Sequence, residues 1–375
     1  MTKAERILIL TSKTGGGHVS LAESLRDRLD QHYEITIADP QPTIFHTHYR
    51  LVSRYALWLW GAEFKFSDKP QRALRAQKLF SLLVAPPIRS LLEQTQANLV
   101  ITTYSFFSYA TVQVIQSLKR SIPFVLLFSD AKNVHASWLN VKTVDAAFAP
   151  TLETQKQALA AGLSPDRVHY TGWPVRKQFY QPNGPSRLEM LTHLGLDPNR
   201  FTIFLQGGGE GTGKFSKTVE NVLAAGRQNQ GKSSLQVILA VGTNKILLER
   251  FSDEENVYVL PFTQEIASYM SVADVIMGKA GPNMLFEAVA LDKPFIATTY
   301  IPGNEDGNLD FIHEYNLGWV ALQEQKQKEL VSRLSTNPGM LAPMREAIAL
   351  YRQRNSIAND TILPLVQALA HLGTQ

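Results

Sequence analysis

Ile7-Leu-Ile-Leu-Thr-Ser-Lys-Thr-Gly-Gly-Gly-His18 runs a short apolar stretch directly into a glycine cluster, and Phe201-Thr-Ile-Phe-Leu-Gln-Gly-Gly-Gly209 repeats the pattern in the second half. Apolar runs of four to seven residues rich in Ile, Val and Phe read as buried parallel strands. The first half offers Ile7–Leu10, Ile35–Ala38, Leu99–Thr102, Phe124–Phe128 and Ala146–Ala149. The second offers Phe201–Leu205, Leu235–Val241, Val257–Leu260, Val275–Met277 and Phe295–Thr298. Helical patterns such as Ser20–Asp30, Glu153–Ala161 and Ile266–Val272 separate them. Strands alternating with helices imply an α/β protein of two Rossmann-like doubly wound domains facing a cleft.

The series breaks where Gly172-Trp-Pro174, Pro182-Asn-Gly-Pro185 and Asp197-Pro198 accumulate. The expected division is an N-terminal domain over 1–175, a linker over 176–199 and a C-terminal domain over 200–351. The final segment, 352–375, is expected to cross back to the first domain as a helix.

Composition narrows the chemistry. The chain has 375 residues, 37 Lys+Arg against 33 Asp+Glu, and no cysteine. Disulfides, thiolate zinc sites, iron–sulfur clusters and a cysteine nucleophile are excluded. The small global charge does not point to nucleic acid. No apolar run approaches the ~20 residues that span a bilayer, and Ile7–Leu10 is too short for a signal-peptide core. The expected location is cytoplasmic.

A glycine cluster between strand and helix turns tightly and lets backbone N–H groups approach an anion. Gly208, Gly213 and Lys214 nearly make a P-loop, but Phe215 stands where the magnesium-binding hydroxyl belongs. His18, at a helix start beside the cleft, suits a general base, since the helix N-terminus disfavours imidazolium. The same position would also serve a histidine that only bonds a neighbouring loop.

Residues 50–89 carry Arg50, Arg54, Lys65, Lys69, Arg72, Arg75, Lys78 and Arg89 against Glu63 and Asp68 alone. Leu51, Tyr55 and Trp58 fall on one face of a helix, and Trp60, Phe64 and Phe66 follow. Aromatics interleaved with Lys and Arg fit the surface of an anionic membrane; a core helix with solvated charges is the competing reading.

An ordered set of motifs gives these elements a family likeness. Ser12–His18, Ser129-Asp130 with His135-Ala-Ser-Trp138, Thr171-Gly-Trp-Pro-Val-Arg176, Gly207–Gly213, Gly242-Thr-Asn-Lys245, Lys279–Glu287 and Pro302–Asn308 run through most of the chain. Together they resemble the monogalactosyldiacylglycerol synthases and processive diacylglycerol glucosyltransferases of glycosyltransferase family 28, which have the GT-B fold. The family usually carries Gln where this chain has the shorter Asn304.

The resemblance implies inverting transfer of galactose or glucose from a UDP-sugar to the hydroxyl of diacylglycerol, giving a β-glycosyl diacylglycerol. It implies no metal and no cofactor beyond the donor substrate. His18 and Asp130 become alternative catalytic bases. On the donor side it assigns Gly207, Gly208, Gly209 and Gly211 to a glycine loop, and Thr243, Asn244 and Lys245 to a turn. Phe262 and Thr263 would border uracil, and Gly281 and Asn283 lead to Glu287 at the ribose. Gly303, Asn304, Glu305 and Asn308 would meet diphosphate and hexose.

On the acceptor side it assigns Gly16, Gly17, His135 and Trp138, with Trp58, Trp60, Phe64, Lys65, Lys69 and Arg72 at the inner face of a membrane. The expected partners are UDP-hexose, diacylglycerol and an anionic membrane surface, with no nucleic acid. An N-acetylglucosamine transfer to a polyprenyl-linked lipid, or a UDP-sugar 2-epimerase on the same fold, are the alternatives.

Overall fold

The computed structural model describes residues 5–55, 57–181, 183–207, 215–227 and 235–372. Its first sheet contains β1 (Arg6–Leu10), β2 (Glu34–Ala38), β3 (Leu99–Thr102), β4 (Phe124–Leu127), β5 (Ala146–Ala149) and β6 (Val168–Tyr170), in the order β2-β1-β3-β4-β5-β6. The second contains β7 (Phe201–Gln206), β8 (Leu235–Gly242), β9 (Val257–Pro261), β10 (Val275–Lys279), β11 (Phe295–Thr299) and β12 (Gly318–Val320), in the order β12-β11-β10-β7-β8-β9. Every pairing is parallel. Crossover helices cover both faces of such a sheet, which is why the inner strands are apolar without alternation.

All ten strands expected from apolar runs are present. The two that the runs did not mark, β6 and β12, are three-residue edge strands. Their polar or glycine positions, His169 and Gly318, break the run, and only pairing with β5 and β11 makes them strands.

In each sheet the chain winds one way from its first strand and then jumps to the other side of it. The switch falls between β1 and β3 in the first sheet and between β7 and β10 in the second. Crevices at these points, outside the carboxyl ends of the strands, are where open α/β sheets bind ligands.

Four helices of the first half matter below: α1 (Gly17–Leu29), α2 (Thr43–Tyr55), α3 (Leu57–Ser67) and α4 (Pro70–Thr95). Leu51 and Trp58 therefore belong to separate helices, not to one continuous face. The segment 176–199 contains two short helices, Lys177–Tyr180 and Arg187–His193.

One apolar core is continuous across both halves. It joins Ile7, Leu21 and Phe148 to Phe286, Phe311 and Ile348 through Trp173, and takes in Ile362, Val366 and Ala370 near the C-terminal end. Trp173 stacks on Phe286 with centroids 4.8 Å apart and planes 6° from parallel. The helix Ala342–Asn359 holds the Thr171–Trp173 backbone. Asn355 accepts from Trp173 N (2.7 Å) and donates to Trp173 O (2.9 Å), and Asn359 donates to Thr171 O (2.8 Å). Gly172, at φ +70°, is needed there: a Cβ would lie 2.6 Å from the Asn359 amide nitrogen. Asn359 also accepts from Arg28 of α1 (2.6 Å).

Removing this buried amide leaves a carbonyl and a guanidinium short of a partner. Asn359→Ala is expected to cost about 1–3 kcal/mol of stability, read as a lowered midpoint in thermal unfolding.

Candidate functional site

His18 is the second residue of α1 and sits at the β1/β3 switch point. Its Nδ1 lies 2.8 Å from the carbonyl of Thr103, just past β3. A carbonyl only accepts, so Nδ1 carries the proton and Nε2 presents its lone pair. The Thr103 hydroxyl closes the arrangement: it lies 3.1 Å from His18 O, to which only it can donate, and 2.9 Å from Thr11 Oγ1, whose own hydroxyl can then supply the proton. Tyr104 meets the imidazole edge-on at 5.0 Å. Burial lowers the His18 pKa to about 4, against smaller upward pulls from the Thr103 bond and from Asp39. The ring is therefore neutral at physiological pH.

Asp39 begins the loop after β2 and was not singled out by sequence. Its carboxylate accepts from Lys13 N (2.7 Å), Gln41 N (3.0 Å) and His46 Nε2 (2.8 Å). It thus ties down the start of the glycine loop that leads to His18. The only sequence signal for it was a carboxylate at the end of an apolar run.

Asp130 follows β4 and is buried. It accepts from His135 N (3.1 Å) and from the Trp138 indole. Burial raises its pKa to about 7. These donors belong to its own loop, whereas the His18 imidazole is held by Thr103. The geometry of Asp130 is that of a staple for the 130–138 loop. His135 and Trp138 are buried with it. Trp138 packs edge-on to Phe128 at 5.3 Å, and His135 caps the helix Ala136–Leu139 through Nδ1. Both side chains are buried rather than turned to an outer surface, His135 against Phe64 and Ser67 of α3 and Trp138 against Phe128.

On the second half, the β7/β10 switch point carries Lys279, Ala280 and Gly281. Lys279 pairs with Glu305, whose carboxylate also accepts from Ile301 N (2.7 Å). Asn308 donates to Ala280 O (2.8 Å) and so ties the start of the helix Asp306–Glu314 to the end of β10. Asn304 is half-buried in the same loop. Asn244 is a helix N-cap, accepting from Leu247 N (3.2 Å), and Lys245 opens that helix. Phe262 is exposed, and Thr263 Oγ1 accepts from Glu265 N. A Cβ on Gly207 would strike the Phe215 ring, which is buried at the position where a P-loop needs a hydroxyl. Gly208, Gly209 and Gly211 lie outside the described residues.

The two halves meet at these loops. Asn283 donates to Gly17 O (3.0 Å) and accepts from the Trp173 indole (3.1 Å). Glu287, whose pKa is raised by burial, receives Arg176 (3.2 Å) and the Ser20 hydroxyl (3.5 Å). Asn283 thus meets the residue before His18, and Glu287 meets Ser20 two residues after it. Arg176 and Ser20 complete the contact; Arg176 was legible only as the last letter of a motif. Among the described residues no three His, Asp or Glu side chains group as a metal site.

The basic segment is less uniform than its sequence. Lys65, Phe66, Lys69 and Arg72 are exposed, and Arg72 lies over the Phe66 ring at 4.2 Å. Phe64 turns inward against His135, with ring centroids 4.6 Å apart. The side chains of Trp58 and Trp60 lie outside the described residues. Leu79, Leu82 and Leu83, on one face of α4, are exposed by 69%, 73% and 52%. Among the described residues no helix is long and apolar enough to cross a membrane.

Two family models match the chain, one in each half. The model of monogalactosyldiacylglycerol (MGDG) synthase matches residues 18–175, and that of the glycosyltransferase family 28 C-terminal domain matches residues 202–348. Monogalactosyldiacylglycerol synthase 1 of Arabidopsis thaliana is 28% identical over 351 residues, covering 88% of this chain and 64% of that protein. Monogalactosyldiacylglycerol synthase 3 of the same plant is 27% identical, covering 99% of this chain and 83% of its own. A UDP-glucosyltransferase from Polygonum tinctorium, capable of glucosylating indoxyl, superimposes with a TM-score of 0.66 over the full length of both chains. At 14% identity that likeness shows the fold alone, which is GT-B.

With His18 as proton acceptor, kcat/KM for glycosyl transfer is expected to be level through neutrality. It should fall only as the pH drops toward about 4, where the imidazolium forms. An acid limb near pH 7 that moves in Asp130→Asn would transfer the role to Asp130.

Proposed function

Because the chain belongs to the glycosyltransferases of the MGDG synthase and family 28 type, we propose that it transfers a hexose from a UDP-sugar to the free hydroxyl of diacylglycerol, with inversion, at the surface of an anionic membrane. The observation that carries this is the approach of His18, its Nε2 lone pair set by Thr103, to the donor motif of the other half through Gly17 and Asn283. Galactose is the first donor to test, since the curated relatives are named for it; glucose is the second.

In this reading, residues 1–175 hold the acceptor and residues 200–351 the donor, with 176–199 as linker and 352–375 packed back on the first half. His18 Nε2 takes the proton of the diacylglycerol hydroxyl as its oxygen attacks the anomeric carbon. The bond from that carbon to the diphosphate oxygen breaks on the opposite face, and UDP leaves with the electron pair. Lys279 and the N–H groups opening the helix Asp306–Glu314 would meet the charge that develops on it. Asn304 and Glu305 would contact the hexose, and Glu287 the ribose, where an acceptor-only carboxylate suits a vicinal diol.

Peripheral attachment to the membrane fits α2–α4. The leucine face of α4 stands exposed beside Lys65, Lys69, Arg72, Arg75 and Lys78. Basic residues near an anionic surface contribute about 1 kcal/mol each, and inserted leucines add apolar burial.

The direct test is transfer of labelled hexose from UDP-galactose, and separately UDP-glucose, to diacylglycerol in anionic vesicles. A lipid-soluble labelled product is expected with one donor, and none with either would refute the reading. His18→Ala should lower kcat by about 10²–10⁴-fold while leaving UDP affinity unchanged in calorimetry. Replacing Leu79, Leu82 and Leu83 together by Ser should weaken cosedimentation with anionic vesicles by roughly tenfold or more, with no loss of thermal stability, because all three side chains are already exposed.

A further inference from the structure

The helix α3 belongs to the first half by sequence, yet it reaches both sides of the cleft. On one side it is pinned to the 130–138 loop. Asp68, just past its end, accepts from Ala136 N (2.8 Å), Ser67 Oγ lies 3.2 Å from His135 Nε2, and the Phe64 ring lies against the same imidazole. On the other side it rests on the second half, at Pro302 and Gly303. A glycine on each side makes room for that contact. A Cβ on Gly61 would lie 3.2 Å from both the Cβ and the carbonyl oxygen of Pro302, and a Cβ on Gly303, at φ +89°, would lie 2.9 Å from the Phe64 ring.

The loop that α3 touches is the one that builds the β7/β10 switch point. Gly303 N donates to Asp306, Ile301 N donates to Glu305, and Glu305 pairs with Lys279. A displacement of α3 therefore reaches Lys279 through two backbone positions and one carboxylate. In the other direction, α3 continues through Ser67-Asp68-Lys69 into α4, whose exposed leucines and basic residues form the face assigned to the membrane.

We propose that Gly61 and Phe64 are positioning residues for the donor site. Seated on Pro302-Gly303, α3 couples docking of α2–α4 on an anionic bilayer to the affinity for the UDP moiety. This rests on the donor and membrane readings above and adds to them a coupling between the two sites. The coupling is reciprocal by thermodynamic necessity: the bilayer tightens UDP by the same factor by which UDP tightens the bilayer. It needs only that the two ligands favour the same placement of α3.

The experiment uses the full chain, UDP as probe, and vesicles of phosphatidylcholine mixed with phosphatidylserine. UDP affinity is measured by calorimetry with and without vesicles, and vesicle affinity by sedimentation with and without UDP. In the wild-type chain, UDP is expected to bind about fivefold or more tightly when vesicles are present, with an equal factor in sedimentation. Gly61→Val lifts α3 from Pro302 and should abolish that factor, while Gly61→Ala should retain part of it. Phe64→Ala removes the packing without adding bulk and should also abolish it, which covers the case in which Gly61→Val does not fold. In each variant that folds, by thermal unfolding, sedimentation without UDP should persist.

Equal UDP affinity on and off the bilayer, in a chain that sediments with vesicles and binds UDP, overturns the proposal. So does full coupling in Gly61→Val and Phe64→Ala. A chain that fails to sediment overturns the membrane reading, and one that fails to bind UDP overturns the donor reading. The two arms report these outcomes separately, and either removes the coupling with it.

Discussion

The seating of Trp173 holds the rest of the structure in register. Its ring stacks on Phe286, its indole donates to Asn283, and its backbone is bonded on both edges by Asn355. Two independent sheets joined by a segment containing two short helices would have no reason to face one another. Trp173 supplies one: a large apolar surface that is buried only when the first half, the helix Pro282–Ala290 and the helix Ala342–Asn359 come together. The same placement aims Asn283 at Gly17, and so sets the glycine loop of one switch point against the donor motif of the other.

The electrostatics of the cleft follow from that closure. Burial acts on His18 and Asp130 in opposite senses, since it disfavours the charged form of each. The imidazole is pushed down to about 4 and the carboxyl up to about 7. A neutral imidazole with its proton pinned on Nδ1 can take a proton only at Nε2. A carboxyl that receives two N–H donors from its own loop is occupied in holding that loop.

Several side chains that the proposed function assigns to the donor have a structural duty in the fold. Asn308 ties a helix start to β10, Asn244 caps a helix, and Glu305 folds its own loop while pairing Lys279. A nucleotide-sugar loop must present backbone N–H groups at fixed positions, and short polar side chains are what hold an irregular backbone in place. Such motifs therefore mix groups that face a ligand with groups that build the loop, and the sequence spacing of the two kinds is the same.

The sequence by itself determined the two α/β halves, their ten strands of four residues or more, the glycine turns and His18 at a helix start. These are local properties: apolar runs, periodicity and turn chemistry are written within a few residues of where they act. Edge strands β6 and β12 were decided by pairing, because three residues carry no pattern of their own. The inward turn of Phe64, His135 and Trp138 was decided by tertiary packing, as was the exposure of Leu79, Leu82 and Leu83 on α4. A stripe of aromatics or leucines at helical spacing is amphipathic whichever partner covers it, and only the neighbouring elements determine whether that partner is core. Thr103, Ser20 and Arg176 join the candidate site for the same reason, since their partners are distant in sequence and the fold alone brings them together; Asp39 does so through Lys13.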